Sequence, residues 1–308
     1  MKTLVIILGE TRTHELTFNN FKENVINVLN ADLCLCIGVK YNYDYYNPFY
    51  KLAKYKFLYN EDEDYSGAFD YAYNIILNEN KIENVNENKI ENVNEKHLHW
   101  REFLKIKNQF MGGIKDKDNE HPGSGAIQIF YRWFLLKNLI YHKLIDEYDR
   151  FVITRSDYIY QLPYPNVEKM NSNNIWIPDF EYWGGYTDKN VILSKTNIIP
   201  YLNILNMMVL KSYDYFSKMK NYNYWNIEQL IKFHLHQNNV EYLIKEFPYI
   251  MYACRNHNGT TRWNVGTYNE KLGYYLKSED EYNKSIEYLN KFNNSGLTID
   301  EFYKDLYD

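Results

Sequence analysis

The residues of this chain best suited to do chemistry lie in the run Tyr-Asp-Arg-Phe-Val-Ile-Thr-Arg-Ser-Asp, from Tyr148 to Asp157. A short β-prone apolar stretch, Phe151 to Ile153, leads directly into Arg155 and Asp157, with Tyr158 and Tyr160 just beyond. Arg155 and Asp157 alternate with Ser156, so an extended backbone points both side chains to one side, where one can hold an anion and the other a cation. The plainer reading is an ordinary solvated ion pair at a strand end. Four other places carry functional residue types. Arg12 follows Gly9-Glu10-Thr11, where a guanidinium either reaches a base or phosphate or sits on the surface of a turn. The loop Phe180 to Asp188 holds Trp183 and Tyr186, rings able to stack on a sugar or base, and Gly184-Gly185, which permit backbone close to a ligand. Glu228 falls in the first turn of a helix, where an acid commonly complements the dipole. Arg255, His257 and Arg262 share a glycine-containing loop that makes a diphosphate clamp. His234 and His236 lie two apart on a helix and diverge, so they are not read as metal ligands.

A buried parallel strand ending at residue 153 would place Arg155 and Asp157 in the crevice where open α/β sheets bind ligands. The opening of the chain fits such a sheet. Thr3 to Leu8 reads as a first strand, and Thr17 or Asn19 as the cap of a helix through Leu29 with Phe21, Val25, Val28 and Leu29 on one face. Asp32 to Val39 reads as a second strand. Tyr41 to Tyr59 is dense in tyrosine and reads as irregular; a helix capped by Ser66 runs to about Leu77. An octet, Asn78 to Val85, is then repeated as Asn86 to Val93, polar enough to be a surface insertion over 78–96 without a catalytic role. Met111 to Gly125 reads as a lid with Ser124 capping the next helix, which runs from Ala126 to Glu147 with Ile129, Trp133, Leu136, Leu139, Ile140 and Leu144 as its stripe. Strands are expected at Asn174 to Pro178, Val191 to Ser194, Glu241 to Lys245 and Tyr249 to Cys254. Helices are expected from Thr196 to Met219, from an Asn226 cap, and as two surface helices over Ser278 to Asp308, one capped at Thr298.

Composition narrows the functional classes. The 308 residues are 45% hydrophobic, enough for a large core, and the net charge of -5 argues against binding nucleic acid by phosphate neutralisation. Cys34, Cys36 and Cys254 have neither disulfide-framework nor zinc-site spacing. No apolar stretch approaches a membrane span and Leu4 to Leu8 is too short for a signal peptide, so a soluble cytoplasmic protein is expected.

The order of these motifs resembles the GT-A-fold glycosyltransferases. It is carried by the Gly-x-x-Arg turn, the long helix into Phe-Val-Ile-Thr-Arg-Ser-Asp, the Trp-Gly-Gly-Tyr-Thr-Asp loop, Asn-Ile-Glu-Gln, and Cys-Arg-Asn-His-Asn-Gly. The pattern is similar to sugar-transferase-like proteins of bacterial surface-polysaccharide clusters and large DNA viruses, and spans residues 1–263. The resemblance implies an α/β fold: one GT-A-like domain over 1–277, with a Rossmann-like mixed central sheet flanked by helices, and a C-terminal helical segment, 278–308, packed on it. It further implies sugar transfer from a nucleotide-diphosphate donor, UDP-sugar favoured, to a hydroxyl of a glycan or protein-linked glycan, with inversion slightly favoured over retention. Donor contacts would come from Gly9, Arg12, Arg155, Asp157, Arg255 and Arg262, and substrate contacts from Tyr158, Trp183, Gly184 and Gly185.

In such a site an Asp-x-Asp motif usually holds Mn²⁺ or Mg²⁺ against the diphosphate. Here Arg155 replaces the first acid, so either Asp157 anchors the cation with His257 as second ligand, or Arg155, Arg255 and Arg262 neutralise the phosphates directly. Glu228 stands where the family places its general base, followed by Gln229 in place of a second acid; Asp188 competes for that role or binds the acceptor. The alternative is a non-catalytic nucleotide-sugar or glycan-binding protein with a degenerate site.

Overall fold

The structure is a computed structural model, and it describes residues 1–86, 97–107, 109–115, 121–222, 224–256 and 266–307. In chain order the elements are β1 (Thr3–Gly9), α1 (His14–Phe21), β2 (Asp32–Val39), α2 (Pro48–Leu52), β3 (Tyr55–Asn60), α3 (Ser66–Asn86), α4 (Gly125–Tyr141), α5 (Leu144–Glu147), β4 (Arg150–Thr154), β5 (Tyr158–Tyr160), β6 (Ile175–Pro178) and β7 (Val191–Ser194). They continue with α6 (Ile198–Leu202), α7 (Ile204–Leu210), α8 (Ser212–Met219), α9 (Ile227–Gln237), β8 (Ile244–Phe247), β9 (Met251–Arg255), β10 (Thr267–Asn269), β11 (Tyr274–Leu276), α10 (Glu279–Ser295) and α11 (Ile299–Phe302).

The central sheet has seven strands in the order β3-β2-β1-β4-β7-β6-β8. β3, β2, β1 and β4 pair in parallel, and β7 alone runs against its neighbours. Both faces of this sheet are buried, which is why its strands read as continuous apolar runs. Leu4, Ile6, Cys34, Cys36, Phe151 and Ile153 face one core, while Val5, Ile7, Leu33, Leu35 and Val152 face the other. The expected α/β class, a mixed central sheet flanked by helices, is what the chain forms. A second sheet, β10-β11-β9-β5, is wholly antiparallel.

Several boundaries differ from the sequence expectation. The tyrosine-rich stretch is not irregular to its end: β3 pairs along β2 from Cys34↔Tyr55 to Val39↔Asn60 as an edge strand, half exposed and therefore weakly patterned. Thr17 and Asn19 lie inside α1, which continues through a π-helical turn at Lys22–Asn27, and Val28 is exposed. The long helix ends at Tyr141, because Lys143 takes a left-handed conformation (φ 57°) before α5, and Ile140 points to solvent. Ser124 and Ser66 make no side-chain cap on the helices they were expected to start; Ser66 instead bonds Asp64. The helix expected from Thr196 is three helices, broken at Asn203 and Lys211.

The first part of the stretch read as a lid is packed into the fold. Phe110, Met111 and Ile114 are fully buried, and Gly112 and Gly113 are tied by backbone hydrogen bonds to Ala126 and His121. The C-terminal segment forms the two expected surface helices, α10 and α11, anchored where α10 buries Glu281 and Ser285 and Tyr303 packs into the core after α11. The cap expected at Thr298 is present, closed by Glu301. The second octet copy, beyond Asn86, lies outside the described residues, whereas the first continues α3.

Candidate functional site

The site is built where the strand order reverses. β1 leads through α1 to β2 on one side, while β4 lies on its other side, so the carboxyl ends of β1 and β4 border a crevice of the kind that binds ligands in open α/β sheets. Gly9 ends β1 at φ 103°, a conformation that suits glycine, and turns the chain toward Arg12. Ser156 then pins the two turns together. Its Oγ accepts the Arg12 N–H at 3.0 Å and donates to the Glu10 carbonyl at 2.9 Å, and its own carbonyl accepts Thr17 Oγ1 at 2.6 Å.

Arg155 and Asp157 do share a side, as their spacing dictates. Arg155 grips Asp157 with Nε to Oδ1 at 2.8 Å and Nη2 to Oδ2 at 2.7 Å. The solvated-pair reading fails on burial: Asp157 is 1% exposed. β9 brings a third charged group, since the Cys254 N–H donates to the Asp157 carbonyl at 2.9 Å and sets Arg255 against the same carboxylate through Nη1. Arg12 Nε stands 3.9 Å away on the open side. Burial alone would raise the Asp157 carboxyl, but Arg155, Arg255 and Arg12 outweigh it and hold the group well below the usual carboxylate range. Arg12 and Arg155 keep part of their surface in solvent, at 29% and 19% of the side chain, and so form the accessible face of the cluster.

The acidic side of the crevice comes from β7 and α9. Because β7 runs antiparallel to β4, its first residues lie beside the end of β4, and Asn190 Nδ2 bonds Thr154 Oγ1 at 3.1 Å. Asp188 therefore arrives two residues from that contact, its carbonyl held by Arg132 Nη2 at 2.8 Å. Glu228 sits in the first turn of α9, whose start is fixed by Asn226 and Gln229 in a reciprocal capping box. Burial, with the Asp188 charge added, pushes the Glu228 carboxyl up to about 7. Asp188 also acts on Arg155, which puts the acidic and basic groups within electrostatic reach of one another.

The glycines of the 180–188 loop serve a different purpose from the one expected. A Cβ on Gly185 would fall 2.0 Å from the Glu228 carbonyl oxygen, and one on Gly184 would fall 3.2 Å from Gln229 Nε2. They let the loop lie flush on α9. Trp183 stands out from this contact, 66% exposed, with φ 44° and its carbonyl held by Asn226 Nδ2 at 2.8 Å. Tyr158 is corrected outright as a substrate contact. Its ring is 1% exposed, packs on Tyr160, and underlies the Arg155 guanidinium at 5.9 Å. His257 and Arg262 lie outside the described residues. His234 is a core residue between Tyr215 Oη and the Pro200 carbonyl, which explains its place on an apolar helix face.

The described groups around Asp157 do not fit a divalent cation. Both of its oxygens are occupied by guanidiniums, and three positive side chains converge on the one carboxylate. Among the described residues no group of three or more His, Cys, Asp or Glu side chains is placed to hold a metal. Sequence reasoning missed Ser156 and Arg132, because each is positioned by contacts far along the chain and carries no local signal of them.

No protein-family model matches the chain, and no curated protein does so either. Among solved structures, mouse xyloside xylosyltransferase 1 in its apo form aligns at a TM-score of 0.36 and 8% identity, over 80% of this chain and 84% of that one. A likeness at that level carries no argument about this chain. Among the described residues no helix is long and apolar enough to cross a membrane.

Proposed function

We propose that this protein is a glycosyltransferase that moves a sugar from a nucleotide-diphosphate donor, a UDP-sugar in the first instance, to a hydroxyl of a glycan or protein-linked glycan. The observation that carries this reading is the arginine face of Arg12 and Arg155, backed by Arg255, set at the switch point of the sheet opposite a carboxyl poised near neutrality. The guanidiniums bind the diphosphate and stabilise the charge it gains as the bond from the anomeric carbon to its oxygen breaks and the electron pair leaves with phosphate. The acceptor oxygen forms the new bond to that carbon and gives its proton to Glu228. Attack from the side opposite the leaving group makes inversion the outcome. Asp188 tunes Glu228, and Trp183 offers an exposed ring to the acceptor sugar.

The charge balance at Asp157 favours arginines over Mn²⁺ or Mg²⁺ as the counter-charge, so transfer is expected to survive chelation. Incubation with a panel of nucleotide sugars, reading nucleotide release with and without glycan acceptors and with and without EDTA, tests this. Release that requires added Mn²⁺ or Mg²⁺ overturns the metal-free part, and no release from any donor overturns the activity. A second reading, a binding protein without turnover, is favoured by the burial of Asp157 and Arg255, to 1% and 3% exposure. It predicts nucleotide-dependent thermal stabilisation with no release.

A further inference from the structure

The transfer site described above has two limbs that no covalent neighbour joins: the loop before β7 with Asp188, and β9 with Arg255. A single carboxylate touches both. Glu281, in the first turn of α10, is fully buried. Its Oε1 accepts from Lys189 Nζ at 2.8 Å, and Lys189 directly follows Asp188. Its Oε2 accepts the Ala253 N–H at 2.9 Å, two residues before Arg255. Lys277 Nζ lies 3.7 Å from Oε1, and Ser278 caps the helix by accepting the Glu281 N–H. Lys189 also pairs with Glu181, but no hydrogen bond joins Glu181 to β9.

We propose that Glu281 is a positioning residue of the site, the strut by which the C-terminal helix α10 sets the spacing between the acid-bearing loop and the arginine-bearing strand. This rests on the reading of the site as a transferase. A dipole-complementing acid in a first helical turn belongs at the surface; this one is buried with both oxygens engaged, an arrangement whose loss leaves charged partners without compensation. Burial would raise its carboxyl, yet Lys189 and Lys277 hold it down to about 2, so the strut is ionised throughout the working range of pH. The consequence is that α10 belongs to the site: it contributes no group that touches substrate, but fixes the two segments that carry Asp188, which tunes Glu228, and Arg255, which backs the arginine face.

Glu281→Asp tests this with the charge kept and the reach shortened by one methylene, too short to serve Lys189 and Ala253 together. We expect turnover to fall at least tenfold while UDP affinity, read by calorimetry, stays within threefold. Amide exchange should rise at 188–190 and 253–255 together. Glu181→Gln, which removes the other carboxylate on Lys189 but no tie to β9, should leave turnover within threefold of the parent. Equal losses in the two variants, unchanged turnover in Glu281→Asp, or faster exchange in only one segment would overturn the strut. If the parent protein releases no nucleotide from any donor, the proposed function fails, and the exchange pattern alone decides whether the two segments are coupled through Glu281.

Discussion

At Asp157, charge balance decides what the residue can do. One carboxylate compensates three guanidiniums, two of them through direct hydrogen bonds, so its first duty is to hold the arginines in place. Asp157→Asn therefore strands buried positive charge and should cost about 3–5 kcal/mol, seen as a lower urea midpoint. The pH dependence has a definite sign. Its folded pKa is depressed, so its contribution is present above the unfolded value of about 3.9 and is lost as pH falls toward the folded one. The parent should lose stability below about pH 4 by a component that Asp157→Asn lacks. Glu228 behaves in the opposite sense. As a base with a pKa of about 7 it must be ionised to act, so kcat/KM should climb with pH through neutrality. Glu228→Gln should lower kcat by about 10²–10⁴-fold with UDP affinity unchanged. Asp188→Asn removes a neighbouring negative charge and should shift the acid limb of the pH profile to lower pH.

Among the elements, α9 shows how packing and chemistry share residues. Gln229, which departs from the acidic pair expected at this position, accepts the Asn226 N–H at 3.1 Å while Asn226 accepts the Gln229 N–H at 2.8 Å. The missing acid is thus accounted for by a cap. Gly185 is required because a Cβ meets the Glu228 carbonyl at 2.0 Å. Gly185→Ala should push the loop off α9, costing about 1–3 kcal/mol and displacing Glu228, with a fall in turnover and little change in UDP binding. Elements with strong local signals were legible from the sequence: β2 and β7 at their expected bounds, and the caps at Asn226 and Thr298. Those fixed by partners were not. β3 is a half-exposed edge strand whose existence depends on β2, and the β10–β11 hairpin is too short to show alternation. The breaks at Asn203 and Lys211 interrupt a run that remains apolar throughout, so periodicity alone could not find them.

For the molecule as a whole, topology assembles the site. Parallel pairing of β1 with β4 joins Arg12 to Arg155, the reversed β7 returns Asp188 to the same edge, and β9 adds Arg255 from the second sheet. The pair Arg155 and Asp157 was readable because residues alternating along a strand end share a side. That they would be buried and met by Arg255 was not, since the two lie 98 positions apart. The C-terminal segment closes the assembly: Glu281 ties α10 to the site, and the Tyr303 hydroxyl donates to the Pro163 carbonyl at 2.9 Å. Truncation after Lys277 should leave a protein that unfolds at lower temperature and has lost turnover. The most direct test of the account is nucleotide release from a panel of UDP-sugars in EDTA, with a glycan acceptor present, by the parent and by Arg155→Ala. The account predicts release by the parent that chelation does not abolish and that Arg155→Ala loses; release by Arg155→Ala at the parent's rate would contradict it.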